Sequence, residues 1–311
     1  MATADPVLTL ADLETWTFPG TALAVLGHPI KHSISPAMHN AALAELARTD
    51  KKFATWKYCR FDIPPEDLPR ALEQLRAKNF RGLNLTVPHK VIAFDLISSG
   101  RIPGVIDPAA QPIGAVNTLL ATDQGWHGFN TDGHGLVLAI RSDLGLDVAH
   151  ADIILLGAGG AARGAAVACL QRSCNSLWIA NRTHANRDAL LKDLAPVAHG
   201  IPLHGFNPAN PPAELPASAI VINATSAGLR DTDTPPADLS KFPKPAGVSD
   251  MIYNPPQTKL LAQAEHLGIP NSNGLSMLIH QGAAALSHWT GLPAPAEAMR
   301  TAGKAAMQTS L

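Results

Sequence analysis

Asp152-Ile153-Ile154-Leu155-Leu156-Gly157-Ala158-Gly159-Gly160-Ala161-Ala162-Arg163 is the stretch whose reading decides the fold. Ile153 to Leu156 is a short apolar run of the kind a fully buried strand shows. It passes directly into glycines spaced Gly157-x-Gly159-x-x-Ala162, and a helical stretch follows to about Arg172. A second strand pattern, Leu177 to Ala180, comes next. This is the G-x-G-x-x-G/A pattern in the strand–turn–helix–strand setting that a dinucleotide site requires. Gly157 permits the tight turn, Gly159 lets backbone approach a pyrophosphate, and Ala162 is small enough for helix–strand packing. With Ala158, Gly160 and Ala161 they cradle the anion at a helix start, where free N–H groups and the helix dipole favour negative charge.

The residues after the second strand choose the cofactor. An NAD site usually places Asp or Glu there to bond the ribose 2′-hydroxyl. This chain has Asn181-Arg182-Thr183, with no carboxylate to repel a 2′-phosphate and a guanidinium fork suited to one. NADP is therefore the expected cofactor.

Working outward, Ala219 to Asn223 and Val248 to Ile252 continue the strand series, while the proline-rich Ile201 to Pro216 and Asp231 to Pro245 read as surface loop. Upstream, strands at Thr21–Leu26, Phe53–Phe61 and Leu83–Val87 alternate with helices at Pro36–Ala47, Pro65–Lys78 and Val91–Ile97. Ser35 reads as the N-cap of the first of these helices, with Pro36 at its first position. That order implies a parallel sheet covered on both faces. Ala115–Ala121 and Trp126–Phe129 flank a hairpin turn at Thr122 to Gly125, and Leu136–Leu144 reads as a helix. Helices return from Leu275 to Trp289 and from Ala296 to Met307. Met1 to Thr17 has no clear assignment.

Composition bounds the partners. The 311 residues carry a net charge of −1, 46% hydrophobic and 5% aromatic residues. Without a basic block or a stacking platform, neither nucleic acid nor a membrane is the expected partner. No signal peptide or long apolar run is apparent, and Cys59, Cys169 and Cys174 read as reduced thiols, so a cytoplasmic location is expected. His28, His32 and His39 match no metal-ligand spacing, and no metal is expected.

Nicotinamide chemistry on an alcohol needs a proton-transfer group beside the reacting carbon. Three segments supply candidates. Gly27-His28-Pro29-Ile30-Lys31-His32-Ser33-Ile34-Ser35-Pro36 places two hydroxyls at a helix N-terminus, where a small carboxylate would be held. Asn84-Leu85-Thr86-Val87-Pro88-His89-Lys90 puts Lys90 just past a strand end, where ligands bind in open α/β sheets. Gly114-Ala115-Val116-Asn117-Thr118 and Gly128-Phe129-Asn130-Thr131-Asp132-Gly133 put Asn117 and Asp132 beside apolar strands, positions that a turn would also explain.

Together these segments resemble the shikimate dehydrogenase family over nearly the whole chain. Asn223-Ala224-Thr225-Ser226-Ala227-Gly228, Asp250-Met251-Ile252-Tyr253-Asn254-Pro255, Asn273-Gly274-Leu275-Ser276-Met277-Leu278 and Gln281-Gly282 belong to the same set. The resemblance implies a reversible NADP-linked conversion between 3-dehydroshikimate and shikimate, on the route to chorismate and the aromatic amino acids. It implies catalytic roles for Lys90 and Asp132, a carboxylate site at Ser33 and Ser35, and substrate contacts at Thr86, Asn117, Tyr253 and Gln281. Thr225, Ala227, Gly228 and Gly274 would join the cofactor site, with Ala227 and Gly228 on the nicotinamide side.

It further implies an α/β protein of two domains with a cleft between them. One is a discontinuous substrate domain with a mostly parallel sheet, 1–131 plus 273–311. The other is a Rossmann-type NADP-binding domain, 132–272. A monomer or homodimer with a small-molecule substrate is expected. His89 stands where several relatives carry Phe. A quinate or dual quinate/shikimate dehydrogenase shares nearly all these motifs. A non-catalytic NADP-binding relative would lack Lys90 or Asp132, and both are present.

Arg182→Ala is expected to weaken NADP by about tenfold or more, through loss of a charge-assisted contact, and NAD far less. Equal losses for the two cofactors, measured by titration, would show that Arg182 does not touch the 2′-phosphate.

Overall fold

The computed structural model describes residues 6–309; 1–5 and 310–311 lie outside it. The chain divides into two compact units. One holds the residues up to Thr131 with those from Gly282 onward, and the other runs Asp132–Gln281.

The first unit opens with β1 (Val7–Leu8) and α1 (Leu10–Glu14), a segment unassigned from sequence. Thr9 and Asp12 form a capping box, the Thr9 N–H donating to Asp12 Oδ2 at 2.8 Å. β2 (Thr21–Gly27), α2 (Ser35–Thr49), β3 (Trp56–Asp62), α3 (Leu68–Ala77), β4 (Phe80–Leu85) and α4 (His89–Ser98) follow. Then come β5 (Gly104–Ile106), β6 (Thr118–Thr122) and β7 (Gly125–Phe129). The sheet order is β1-β3-β2-β4-β6-β7-β5. It is mostly parallel, as expected, and its antiparallel pairs are those of β6, the first strand of the hairpin that the sequence also places. β6 runs antiparallel to β7, because the tight Thr122–Gly125 turn reverses the chain with no crossover helix, and it is antiparallel to β4 as well. Ser35 is the first residue of α2, with Ile34 in the cap position, so Ser35 is not the N-cap; instead Ser33 Oγ accepts the Ser35 N–H at 3.3 Å.

The second unit contains α5 (Asp132–Leu144), β8 (Asp152–Leu156), α6 (Gly160–Gln171), β9 (Ser176–Ala180), α7 (His184–Leu194) and β10 (Leu203–Phe206). It continues with β11 (Ile220–Asn223), β12 (Gly247–Asp250), α8 (Lys259–His266) and β13 (Asn271–Ser272). All its strands are parallel, in the order β10-β9-β8-β11-β12-β13. That is the 3-2-1-4-5-6 order of a Rossmann-type sheet. β10 lies inside the stretch that reads as loop. Its short sequence Leu203-His204-Gly205-Phe206 lacks an apolar run because it is an edge strand, with only Phe206 buried.

α9 (Leu275–Thr290) and α10 (Ala296–Thr309) end the described chain. The boundary between units falls within α9, at Gly282 and not at Asn273. Gly135 of α5 explains this: a Cβ there would stand 2.7 Å from the Met277 carbonyl, so the start of α9 packs on α5.

Beyond that boundary, the Trp289 indole covers Gly82 and donates to the Leu119 carbonyl at 2.9 Å. Beside it His39 is fully buried and stacks on Tyr58 with ring centroids 4.1 Å apart. Neither ring nitrogen of His39 has a partner of hydrogen-bond geometry, and the nearby Asn84 amide offsets only part of the burial cost. Burial holds the His39 pKa down at about 3. Between the ordinary imidazole value and about 3, the unfolded chain therefore binds a proton that the folded chain refuses. Stability is expected to fall as pH drops through that window, and His39→Phe should flatten the slope in chemical denaturation series. An unchanged slope would mean that His39 does not carry it.

Candidate functional site: a cofactor pocket and a motif-bearing sheet edge

Parallel pairing brings the ends of β8, β9, β11 and β12 to one edge of the second sheet. Leu156 pairs with Ala180 and Asn223, and Asn223 with Asp250. The loops that leave this edge enclose a cavity of about 570 Å³. Gly157, Ala158 and Gly159 line it, as do Asn181, Arg182, Thr225 and Ala227. Gly157 has φ +116°, and a Cβ there would meet the Ala224 carbonyl at 3.1 Å, so glycine is required at this turn. A Cβ on Gly159 would meet nothing within 4 Å; it would project into the open space that a pyrophosphate needs. α6 starts at Gly160 with no side-chain cap, leaving its first N–H groups for an anion.

These features fit NADP. β9 delivers Asn181 and Arg182 into the cavity, and Asn181 Nδ2 donates to the Thr183 carbonyl at 2.8 Å, which fixes the turn. Arg187 lies outside the cavity lining and pairs with Asp188 at 2.7 Å, while Arg163 pairs with Asp193 at 2.7 Å. Arg182 is thus the cavity's lining guanidinium. Gly160, Ala161, Thr183, Gly228 and Gly274 do not line it. Gly160 and Ala161 begin α6, and Thr183 occupies the N-cap of α7. Gly228, at φ +119°, packs on Thr258, and a Cβ at Gly274 would stand 2.2 Å from the Met251 carbonyl.

Sequence reasoning missed one wall of this pocket, made by Pro208 and Thr232 to Pro236. Asp233 turns that wall inward by accepting the Gly228 and Arg230 N–H groups at 3.0 and 3.1 Å. Those two backbone donors hold its carboxyl below the usual carboxylate range. A proline-rich composition signals loop, and only the Asp placed five residues after a glycine hinted at a turn that folds back.

The first unit gathers its motifs at one sheet edge as well. Leu26 pairs with Leu85, Asn84 with Thr118, and Thr118 with Phe129. The ends of β2, β4 and β7 and the start of β6 therefore coincide, carrying the Ser33–Ser35 loop, Thr86, Lys90, Asn117 and Thr131. Lys90 is the second residue of α4, and its carbonyl accepts the Val116 N–H at 3.0 Å. Asn117 is buried; its Oδ1 accepts the Thr131 N–H at 2.8 Å and its Nδ2 donates to Thr131 Oγ at 3.0 Å. Tyr58 donates to Asn84 Oδ1 at 2.8 Å, and Asn84 Nδ2 donates to the Asn117 carbonyl at 3.2 Å. Arg60 Nη1 donates to the Lys31 and Ser33 carbonyls at 2.7 and 3.2 Å.

His89 is buried at the start of α4, close to Asp62 and His28, which share a 2.5 Å contact, and desolvation lowers its pKa. In the second unit, Asp132 opens α5, Tyr253 follows β12 with its hydroxyl pKa raised by burial, and Gln281 Nε2 donates to the Leu278 carbonyl at 2.8 Å.

A Rossmann-type sheet with a glycine loop, a lining guanidinium and no acid at the end of β9 defines a dinucleotide-binding α/β protein. Comparison with known proteins refines this. Residues 25–119 match the shikimate dehydrogenase substrate binding domain, and residues 274–302 the shikimate 5′-dehydrogenase C-terminal domain. Shikimate dehydrogenase (NADP(+)) of Moorella thermoacetica is 40% identical over 93% of this chain and 94% of its own.

A solved structure of shikimate 5-dehydrogenase from Thermus thermophilus, in complex with NADP(H) and shikimate, superposes with a TM-score of 0.77. It is 35% identical and covers 92% of this chain and 99% of its own. The ligand-free 5-ketofructose reductase of a Gluconobacter strain superposes with a TM-score of 0.79 at 27% identity, covering 93% of this chain and 99% of its own. The chain belongs to the shikimate dehydrogenase family.

Gly159→Leu is expected to abolish NADPH binding, followed by fluorescence titration. The thermal unfolding midpoint of the free protein should stay nearly unchanged, because the new side chain points into open cavity. Retained binding would remove Gly159 from the pyrophosphate site.

Proposed function

We propose that the chain catalyses the reversible NADP-linked reduction of 3-dehydroshikimate to shikimate, a step toward chorismate and the aromatic amino acids. The observation that carries this reading is 40% identity, over nearly the full length of both chains, to an NADP-dependent shikimate dehydrogenase. The pocket chemistry agrees, with Arg182 in the lining and no acid at the end of β9.

NADP(H), when bound, supplies or accepts the hydride. The chain's own residues do the rest. Ser33 and Ser35 hold the substrate carboxylate with their hydroxyls at the start of α2. Thr86, Asn117, Tyr253 and Gln281 contact the hydroxyls or frame the ring. Lys90 gives a proton to the reacting oxygen during reduction and takes it back during oxidation, with Asp132 as its partner in the acid–base pair. The bonds within the Asn84–Asn117–Thr131 network keep Asn117 rigid, so its contact with substrate needs little ordering. Gly157 to Gly159 with the first N–H groups of α6 receive the pyrophosphate, Asn181 and Arg182 the adenosine end, and Ala227 with the Gly228 turn the nicotinamide side, next to Thr225.

Lys90→Ala should lower kcat by ~10²–10⁴-fold, the range for removing a general acid–base group, while NADP still binds. Steady-state rates with shikimate and quinate, each with NADP and NAD, test the substrate. The highest kcat/KM is expected for shikimate with NADP. Near-normal turnover in the Lys90 variant sinks the assigned role; preference for quinate sinks the substrate, and inactivity on all four pairs sinks the activity.

A further inference from the structure

At the ends of β11 and β12 lies a carboxylate that neither the glycine loop nor the substrate motifs explain. Asp250 is fully buried. Its Oδ1 accepts the Asn223 side-chain N–H at 2.9 Å and the Ile252 backbone N–H at 3.0 Å, and its Oδ2 accepts the Thr258 hydroxyl at 2.7 Å. All of these partners are neutral. Desolvation pushes the carboxyl above its ordinary range, and the hydrogen bonds pull it back only in part. A well-packed apolar side chain would be cheaper to bury here, so the carboxylate needs another reason.

The bonds beyond Asp250 give one. Asn223, held by Asp250, accepts the Thr225 N–H and hydroxyl at 3.0 and 2.8 Å through its Oδ1. Thr225 Oγ1 then accepts the Ala227 N–H at 3.1 Å. Thr225 and Ala227 line the cofactor cavity. On its other side Thr258 caps α8, accepting the Leu261 N–H at 3.3 Å, and it packs under Gly228. A continuous relay thus runs from a buried carboxyl group to one wall of the pocket. The Gly157 loop and Asn181-Arg182 hang on other strands and make no bond to Asp250.

We propose that Asp250 is a positioning residue for the nicotinamide end of the NADP site, acting through Asn223 on Thr225 to Ala227 and through Thr258 on Gly228. The proposal rests on the reading that these loop residues face the nicotinamide. It separates the two halves of the cofactor: loss of Asp250 loosens the nicotinamide half and spares the adenosine half, whereas a merely structural role would affect both.

Calorimetric titration of the full chain with NADPH and with adenosine 2′,5′-bisphosphate tests this. Asp250→Ala should bind NADPH about tenfold more weakly and the bisphosphate within about twofold of wild type. Asp250→Asn keeps the Oδ1 acceptor for Asn223 and Ile252 and should restore NADPH binding to within about threefold. Thr258→Val, a near-isostere that removes the bond to Asp250 together with the α8 cap to the Leu261 N–H, covers failure of the alanine variant to fold; several-fold weaker NADPH with unchanged bisphosphate binding is expected.

Equal weakening of both ligands in the folded variants overturns the proposal, and so does unchanged NADPH affinity. The titrations need no turnover. A wild type that binds NADPH but does not oxidise shikimate defeats the proposed activity alone, and one that binds no NADPH defeats both readings.

Discussion

In a parallel sheet every strand ends at the same edge, and that constraint organises this protein. Each unit spends its apolar residues on the strands and leaves polar residues and glycines for the loops at one rim. Residues as far apart in sequence as Gly157, Arg182 and Thr225 meet there because Leu156, Ala180 and Asn223 are held in register by the sheet ladder. The first unit meets the same need differently. Reversal of β6 carries its start, with Asn117, to the edge where β4 ends. The reversal breaks the parallel pattern and still preserves the convergence.

The strand ends are locked by buried polar groups. Asn84, Asn117 and Thr131 close a network in the first unit, and Asn223, Asp250 and Thr258 close one in the second. Such networks are costly if half-made and rigid if complete, since an unpaired buried donor or acceptor loses its full solvation. His39 is the counterexample: it is buried without hydrogen-bond partners, and its depressed pKa is the trace of that cost. Rigid strand ends let the loops above them hold a ligand with little further loss of entropy.

Much of this is legible in the sequence, for a physical reason. The glycine loop follows a short apolar run with the pattern of a buried strand and precedes a helix, so Gly157 and Gly159 announce both a turn and an anion site. Lys90 follows the strand run Leu83–Val87, and Thr86 and Asn117 are polar residues near the ends of apolar runs, which the structure trims to Leu85 and Thr118. What stays illegible depends on contacts between distant residues. β10 has too few apolar residues to read as a strand and exists because β9 offers it a partner. α1 is short, and its capping box and the packing of Trp16 against Phe61 and Phe80 place it. The Thr232–Pro236 wall becomes part of the site only because Asp233 reaches back to Gly228. Asp250 reads as one more polar residue after a strand until its partners are seen.

The fold itself does not choose the substrate. The 5-ketofructose reductase superposes as well as the shikimate complex does, at lower identity, so overall likeness cannot rank the two chemistries. The choice has to come from local features such as the loop between β2 and α2. There Arg60 engages the Lys31 and Ser33 carbonyls. Ser33 Oγ in turn accepts the Ser35 N–H at 3.3 Å, so the loop is tied both to β3 and to the first residue of α2. One guanidinium on β3 thus holds the loop that carries Ser33 and Ser35, the residues proposed above to hold the substrate carboxylate, and a shape set so locally can differ between proteins that share the fold.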